Sequence, residues 1–117
     1  MAKIGQLYLQ QGVWKGKQIV SAQWVQESTA KSVELSTEYS PAFQATGYGY
    51  LWWRGRFTNA DTETIYAAGM GGQYIFIMPK IETVVVLTGS NYSKDDTLVF
   101  DIVNRFILGS IYGYPAD

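Results

Sequence analysis

The stretch Tyr66-Ala-Ala-Gly-Met-Gly-Gly-Gln-Tyr-Ile-Phe-Ile-Met-Pro79 sets the tightest limit on how this chain can fold. Strand-like sequence runs to Ala68, breaks at Gly69-Met70-Gly71-Gly72, resumes from Gln73 to Met78 and stops at Pro79. Glycines inside strand sequence mark a bulge, or a place where something comes close to the backbone. A strand edge at Gly71 and Gly72 leaves N–H and C=O groups uncovered, so a substrate can lie against it as an added strand. An N–H there, such as that of Gln73, can also stabilise a developing oxyanion. A purely structural bulge that re-aims the strand explains the same residues. Spacing alone leaves both readings standing.

On either side of this stretch the pattern predicts an α+β fold. Ile4, Leu7 and Tyr8 fall at helical spacing, with Gly12 as the stop. Val13 to Val20 reads as a small hairpin turning at Lys15-Gly16. Ser21 offers an N-cap to a second helix carrying Trp24, Val25 and Ser28 on one side. Lys31 to Thr46 is polar, contains Pro41, and reads as a surface loop. Strand character returns over Tyr48 to Trp53, and a polar turn at Asn59-Ala60-Asp61 leads into Thr64 to Ala68. Gln73 to Met78 and Thr83 to Thr88, joined by Pro79-Lys80-Ile81-Glu82, predict an antiparallel hairpin. Ser93 and Asp96 read as a capping pair for a last helix with the stripe Val99, Ile102, Val103, Phe106 and Ile107. The expected architecture is a three-stranded antiparallel sheet, a C-terminal helix packed on it, and two N-terminal helices.

Composition narrows the chemistry. At 117 residues the chain is one domain by length, able to bury roughly 65% of its unfolded surface. It has no Cys and no His, which removes disulfides, thiol nucleophiles, Cys/His zinc sites and imidazole bases. Proton transfer or attack is left to Asp, Glu, Lys, Tyr, Ser and Thr. The nine basic residues are scattered and the net charge is −1, which argues against a nucleic-acid footprint. No apolar run reaches the roughly 18 residues of a membrane-spanning helix. No cofactor or metal is expected.

Three other features compete for a catalytic role. Ser28-Thr-Ala-Lys31 matches S-x-x-K, in which a neutral amine one helical turn away accepts a hydroxyl proton. Here, however, it ends a helix instead of starting a buried one. Tyr48, Tyr50, Trp52 and Trp53 could wall a substrate site, though core packing and cross-strand pairing explain such density more simply. Asp95, Asp96 and Asp101 form an acidic group that capping and a solvated helix face account for.

Taken in order, Gly5-Gln6-Leu7-Tyr8-Leu9, Gly12 to Val20, Trp24-Val25, Gly47 to Trp53, Ala68 to Phe76 with Pro79, and Val84 to Thr88 resemble the C-terminal part of a serine hydrolase superfamily. This is the superfamily of class C β-lactamases, penicillin-binding proteins and esterases, and the nearest likeness is to the 6-aminohexanoate-dimer hydrolase branch. The resemblance implies hydrolysis of an amide or ester bond in a small molecule by a full-length parent. The nucleophilic Ser and Lys, and a Tyr motif, would lie N-terminal to anything here. It makes Met70-Gly71-Gly72 the match to the third motif and Met70, Gly71, Gly72 and Tyr74 substrate-lining. The Gln73 main-chain N–H becomes the counterpart of one oxyanion-hole donor. Met70 stands where the family commonly carries a polar or cationic side chain, which weighs against recognition of a β-lactam carboxylate.

The chain, opening almost at once in a helix, is expected to be a C-terminal piece of such an enzyme, single-domain over 1–117 and inactive alone. A second reading is a non-catalytic binding or assembly module that reuses the sheet. On either reading an uncovered edge favours self-association, or association with the missing N-terminal part.

Overall fold

A computed structural model describes residues 1–60, 62–92 and 96–114. Asp61, Ser93 and Asp95, named above, lie outside the described residues.

The expected three-stranded sheet is overturned. Among the described residues, six antiparallel strands form a meander in strict chain order: β3 (Val33–Ser40), β4 (Phe43–Tyr48), β5 (Trp53–Phe57), β6 (Glu63–Gly69), β7 (Gln73–Met78) and β8 (Thr83–Leu87). A separate two-stranded ribbon pairs β1 (Val13–Trp14) with β2 (Lys17–Gln18). The segment read as a loop supplies β3 and β4. β4 alternates strictly, with Phe43, Ala45 and Gly47 buried between half-buried or exposed neighbours, but two of its three inward residues are small. β3 is exposed along most of its length and kinked by two register shifts against β4. Such a polar, bulged strand protects a sheet edge and leaves no apolar signal. Of the strand expected over Tyr48–Trp53, Tyr48 ends β4 and Trp53 begins β5, but the residues between them form the turn, in which Leu51 takes a φ of 65° and is 81% exposed.

The sheet is sandwiched. On one face α1 (Ala2–Leu9) lies across β7 and β8, with Tyr8 and Leu9 packed against Trp52, Ile75, Ile77 and Val84. Contact is close because Gly5, with no side chain, sits over Ile75 and Val84. The buried face is thus Gly5, Tyr8 and Leu9, whereas Ile4 is exposed. α2 (Ala22–Thr29) begins at Ser21, whose hydroxyl accepts from the Trp24 N–H at 3.1 Å. Its end is tied to the sheet by Arg54, which donates to the Thr29 carbonyl at 2.9 Å while forking onto Glu63 at 3.1 and 2.5 Å. Burial raises the Glu63 pKa, but the hydrogen bond and charge of Arg54 outweigh it, aided by Lys31 and Arg56, and the net direction is down.

On the other face lies a helix that changes pitch: α3 (Thr97–Asp101), a π-helical stretch (Ile102–Leu108), and α4 (Gly109–Tyr112). The wide turns move the buried stripe to Phe100, Val103, Asn104 and Leu108, and leave Phe106 largely exposed. Buried Asn104 latches the β5–β6 turn. Its side-chain oxygen accepts from the Asn59 N–H at 2.9 Å and its amide donates to the Thr58 hydroxyl at 3.1 Å. The core beneath is aromatic, with Phe43, Phe57, Tyr66, Tyr74 and Phe76 gathered round Phe100.

Candidate functional site

The glycine break is a hairpin. Gly69 faces Gln73 across the β6–β7 ladder, and Met70, Gly71 and Gly72 form the connection. Gly71 and Gly72 both have φ of 88°, a conformation that costs glycine nothing and other residues strain. Tight turning here lifts Met70 into solvent, 83% exposed, at the rim of a cavity of about 370 Å³.

Four separate segments build that cavity. The hairpin gives Ala68, Gly69, Met70 and Tyr74, the edge strand gives Tyr39, the sheet gives Trp53 and Tyr66, and the start of α3 gives Asp96, Thr97 and Phe100. Of the residues expected to line a substrate site, Met70 and Tyr74 are on this wall. Gly71 and Gly72 border a neighbouring cleft of about 300 Å³, together with Leu87, Gly89, Leu98 and Val99. Gln73 lines neither; its side-chain amide donates to the Gly89 carbonyl.

The other sequence candidates are placed elsewhere. The buried Ser28 hydroxyl donates back to the Val25 carbonyl at 3.4 Å, while the Lys31 amine sits 3.7 Å from Glu34. The Ser-Lys spacing is therefore not assembled as a nucleophile and base. The aromatic group divides: Trp52 packs with Tyr8 beneath α1, Tyr50 lies against Trp24, and Trp53, with Tyr48 beside it, reaches the cavity. Asp96 stands at the N-terminus of α3 but makes no side-chain capping bond there. Its carboxylate instead accepts from the Tyr74 hydroxyl at 2.6 Å. The sequence suggested Asp96 as a cap, read Tyr66 only as strand, and gave Tyr39 no place in the site. Tyr66 and Tyr74 share a face through the β6–β7 register, which pairs Tyr66 with Phe76 and Ala68 with Tyr74.

Both inner phenols are held neutral. Burial, and to a lesser degree Tyr39, pushes the Tyr66 pKa well above its usual 10.0. Burial pushes Tyr74 up as well, reinforced by the hydrogen bond and charge of Asp96 and then by Tyr66 and Tyr39. With both values raised in the folded state, stability is complete below pH 10 and declines as pH climbs past it, because the unfolded chain loses those protons first. Each of the two tyrosines is expected to contribute a decline of about 1.4 kcal/mol per pH unit.

The Tyr66 hydroxyl is also buried, and among the described residues it has no hydrogen-bond partner. Tyr66→Phe is therefore expected to gain about 1 kcal/mol at pH 7 and to halve the alkaline decline. Urea unfolding at pH 7 and at pH 11 checks both, and a loss of stability at pH 7 would show that the hydroxyl is satisfied.

No protein-family model matches the chain. The 6-aminohexanoate-dimer hydrolase of Paenarthrobacter ureafaciens is 29% identical to it over 93 residues, which cover 77% of this chain and 23% of that protein. The chain thus spans less than a quarter of the length of this curated relative. It is distantly similar to a serine hydrolase.

Proposed function

We propose that this chain is the substrate-lining part of a β-lactamase-like serine hydrolase that cleaves a small amide or ester. Acylation of a serine and deacylation by water would be carried out on a nucleophile from another part of the enzyme. Met70 and Tyr74 would contact the substrate across the cavity, with Gly71 and Gly72 shaping the turn beside it. The Gln73 N–H would supply one oxyanion donor; its register partner Gly69 borders the cavity, about 5 Å away across the ladder. The observation that carries this reading is that the glycine hairpin, which lies in the hydrolase-like region, borders an aromatic cavity with a buried polar rim.

The test is a chimera in which this chain replaces the corresponding part of the Paenarthrobacter ureafaciens enzyme. The chimera is expected to form a covalent adduct with a fluorophosphonate probe, and the isolated chain is expected to form none. A folded chimera that takes no label would sink the reading. Labelling of the isolated chain would refute its inactivity.

β8 favours the second reading, an assembly module. Thr83-Val-Val-Val-Leu87 is an uncharged terminal strand of the sheet, paired in regular register with β7 and, among the described residues, with nothing beyond. Unblunted edges of this kind accept another strand. On this reading the chain self-associates, and light scattering that returned only monomer would count against it.

A further inference from the structure

Charge is divided unevenly along the chain. Residues 1–26 hold three lysines and no Asp or Glu, a net +3, while residues 27–117 hold six basic and ten acidic residues, a net −4. The fold draws those three lysines to one place. α1 runs through Gly12 into the β1–β2 ribbon, and the Gly12 carbonyl fixes the ribbon by accepting from the Ile19 N–H at 2.9 Å and the Val20 N–H at 3.2 Å. Lys15 and Gly16, with φ of 48° and 75°, make the two-residue turn at the ribbon's tip. Lys17 stands directly opposite Trp14 across the ribbon, and Lys3 lines a cleft together with Trp14. All three lysines are exposed, and none forms an ion pair among the described residues.

The cleft they surround is apolar. It measures about 320 Å³ and is walled by Ile4, Leu7, Trp14 and Ile19, with Lys3 the one charged residue lining it among the described residues. α1 buries Gly5, Tyr8 and Leu9 toward the sheet, which leaves Ile4 and Leu7 to this outer side. Ile4 and Ile19 are about half exposed, at 52% and 55%. Exposed apolar side chains grouped in this way mark a contact surface.

The chemistry of the face selects what covers it. Unpaired lysines favour an anionic partner. An acidic peptide lying in the cleft would set its backbone polar groups against aliphatic side chains that cannot pair them. A lipid interface asks for no such bonds: isoleucines enter the acyl boundary, an indole suits the interface, and lysines reach the headgroups with their charge in water. The acidic remainder of the chain is repelled by the same anionic surface, so this face is the one turned toward it.

We propose that the face formed by α1 and the β1–β2 ribbon lies on an anionic lipid surface, with Ile4 and Ile19 in the headgroup–acyl boundary and Lys3, Lys15 and Lys17 on the headgroups. The contact is one-sided and involves no membrane-spanning segment. It rests on neither the hydrolase nor the assembly reading.

The experiment sediments the isolated chain with sucrose-loaded vesicles at pH 7 and about 50 mM salt. Vesicles of phosphatidylserine and phosphatidylcholine in equal parts are expected to bind half of the protein at a lipid concentration on the order of millimolar. Phosphatidylcholine alone is expected to bind at least about tenfold more weakly. Raising the salt to about 500 mM is expected to release the protein. The double variant Lys15→Gln, Lys17→Gln is expected to weaken anionic-vesicle binding about twentyfold, since each lysine at such a surface accounts for about fivefold. Ile19→Ser is expected to weaken it about fivefold and serves should the double variant fail to fold. Lys31→Gln, outside this face, is expected to change it by about twofold at most. Equal binding to both vesicle types would overturn the proposal, as would no sedimentation with anionic vesicles. So would an affinity unchanged in a folded variant of the face, or a loss in Lys31→Gln as large as in the double variant. Capture of poly-glutamate with vesicles left unbound would assign the face to an acidic polypeptide instead. Every one of these outcomes leaves fluorophosphonate labelling of the chimera unaffected.

Discussion

Phe100→Ala is expected to cost about 4 kcal/mol of unfolding free energy, in the upper range for truncating a buried ring. Phe100 is 2% exposed and is the ring through which α3 enters the core. It stacks on Phe43 at 4.6 Å and meets Tyr74 at 5.6 Å, Phe76 at 6.0 Å and Phe57 at 6.3 Å. Alanine there removes the filling of a cage whose walls are sheet residues and cannot collapse inward. Urea unfolding measures the effect, and a cost below about 1.5 kcal/mol, within the range of a conservative core swap, would mean that the helix repacks over the gap.

Gly49→Ala is expected to be nearly as damaging, at about 3 kcal/mol, the upper end for forcing atoms into filled space. A Cβ at Gly49 would lie 2.4 Å from the Ala30 carbonyl oxygen and 2.6 Å from that of Ser28. Both are backbone atoms at the end of α2, so no rotamer change relieves the clash. The neighbouring hydrogen bonds, Gly49 N–H to Trp52 carbonyl at 2.7 Å and Tyr50 N–H to Ser28 carbonyl at 2.9 Å, hold the turn against that helix. The variant must therefore push α2 outward and weaken the Arg54 tie to Thr29. Chemical denaturation with near-zero loss would show α2 to be free to move.

What the sequence revealed, and what it concealed, follows from where each residue's environment comes from. The β6–β7–β8 part of the sheet was legible because Tyr74 to Met78 and Val84 to Val86 are apolar on both faces, and Pro79 marks the turn. β3 was not, because Glu34, Ser36 and Glu38 belong to an exposed edge strand whose pairing is satisfied by backbone. β4 hid because Gly47 and Ala45 fill inward positions without adding hydrophobic signal. The helical stripe was displaced because a 3.6-residue period does not describe the π-helical turns that bring Asn104 and Leu108 inward.

The site divides along the same line. Glycines around Met70 pointed to the hairpin, and Met70 and Tyr74 border its cavity. Tyr39, Trp53 and Asp96 come from three distant segments, and no local pattern brings them together. Gly71 and Gly72, adjacent to Met70 in sequence, face a different cleft because consecutive residues in a turn point different ways. Asp96 had two uses open to it, a cap or a partner for a phenol, and only the position of Tyr74 decides between them.

The meander also carries a kinetic consequence. Every strand from β3 to β8 pairs with its immediate neighbour in sequence, so each hairpin closes a short loop at small entropic cost. The sheet can zip up quickly, and nothing in this topology requires its two covers to be in place first. α1 precedes all six strands and the α3 helix follows them, and each must reach across the chain to settle on opposite faces. Between zipping and closure, the rings around Phe43 and Tyr66 stand open to solvent on one side, and Ile75 and Ile77 on the other. A sheet uncovered on both faces, with the β8 edge beside it, would be the stage at which wrong association competes with folding. Refolding yield should therefore fall with protein concentration more steeply than the stability of the finished fold would suggest.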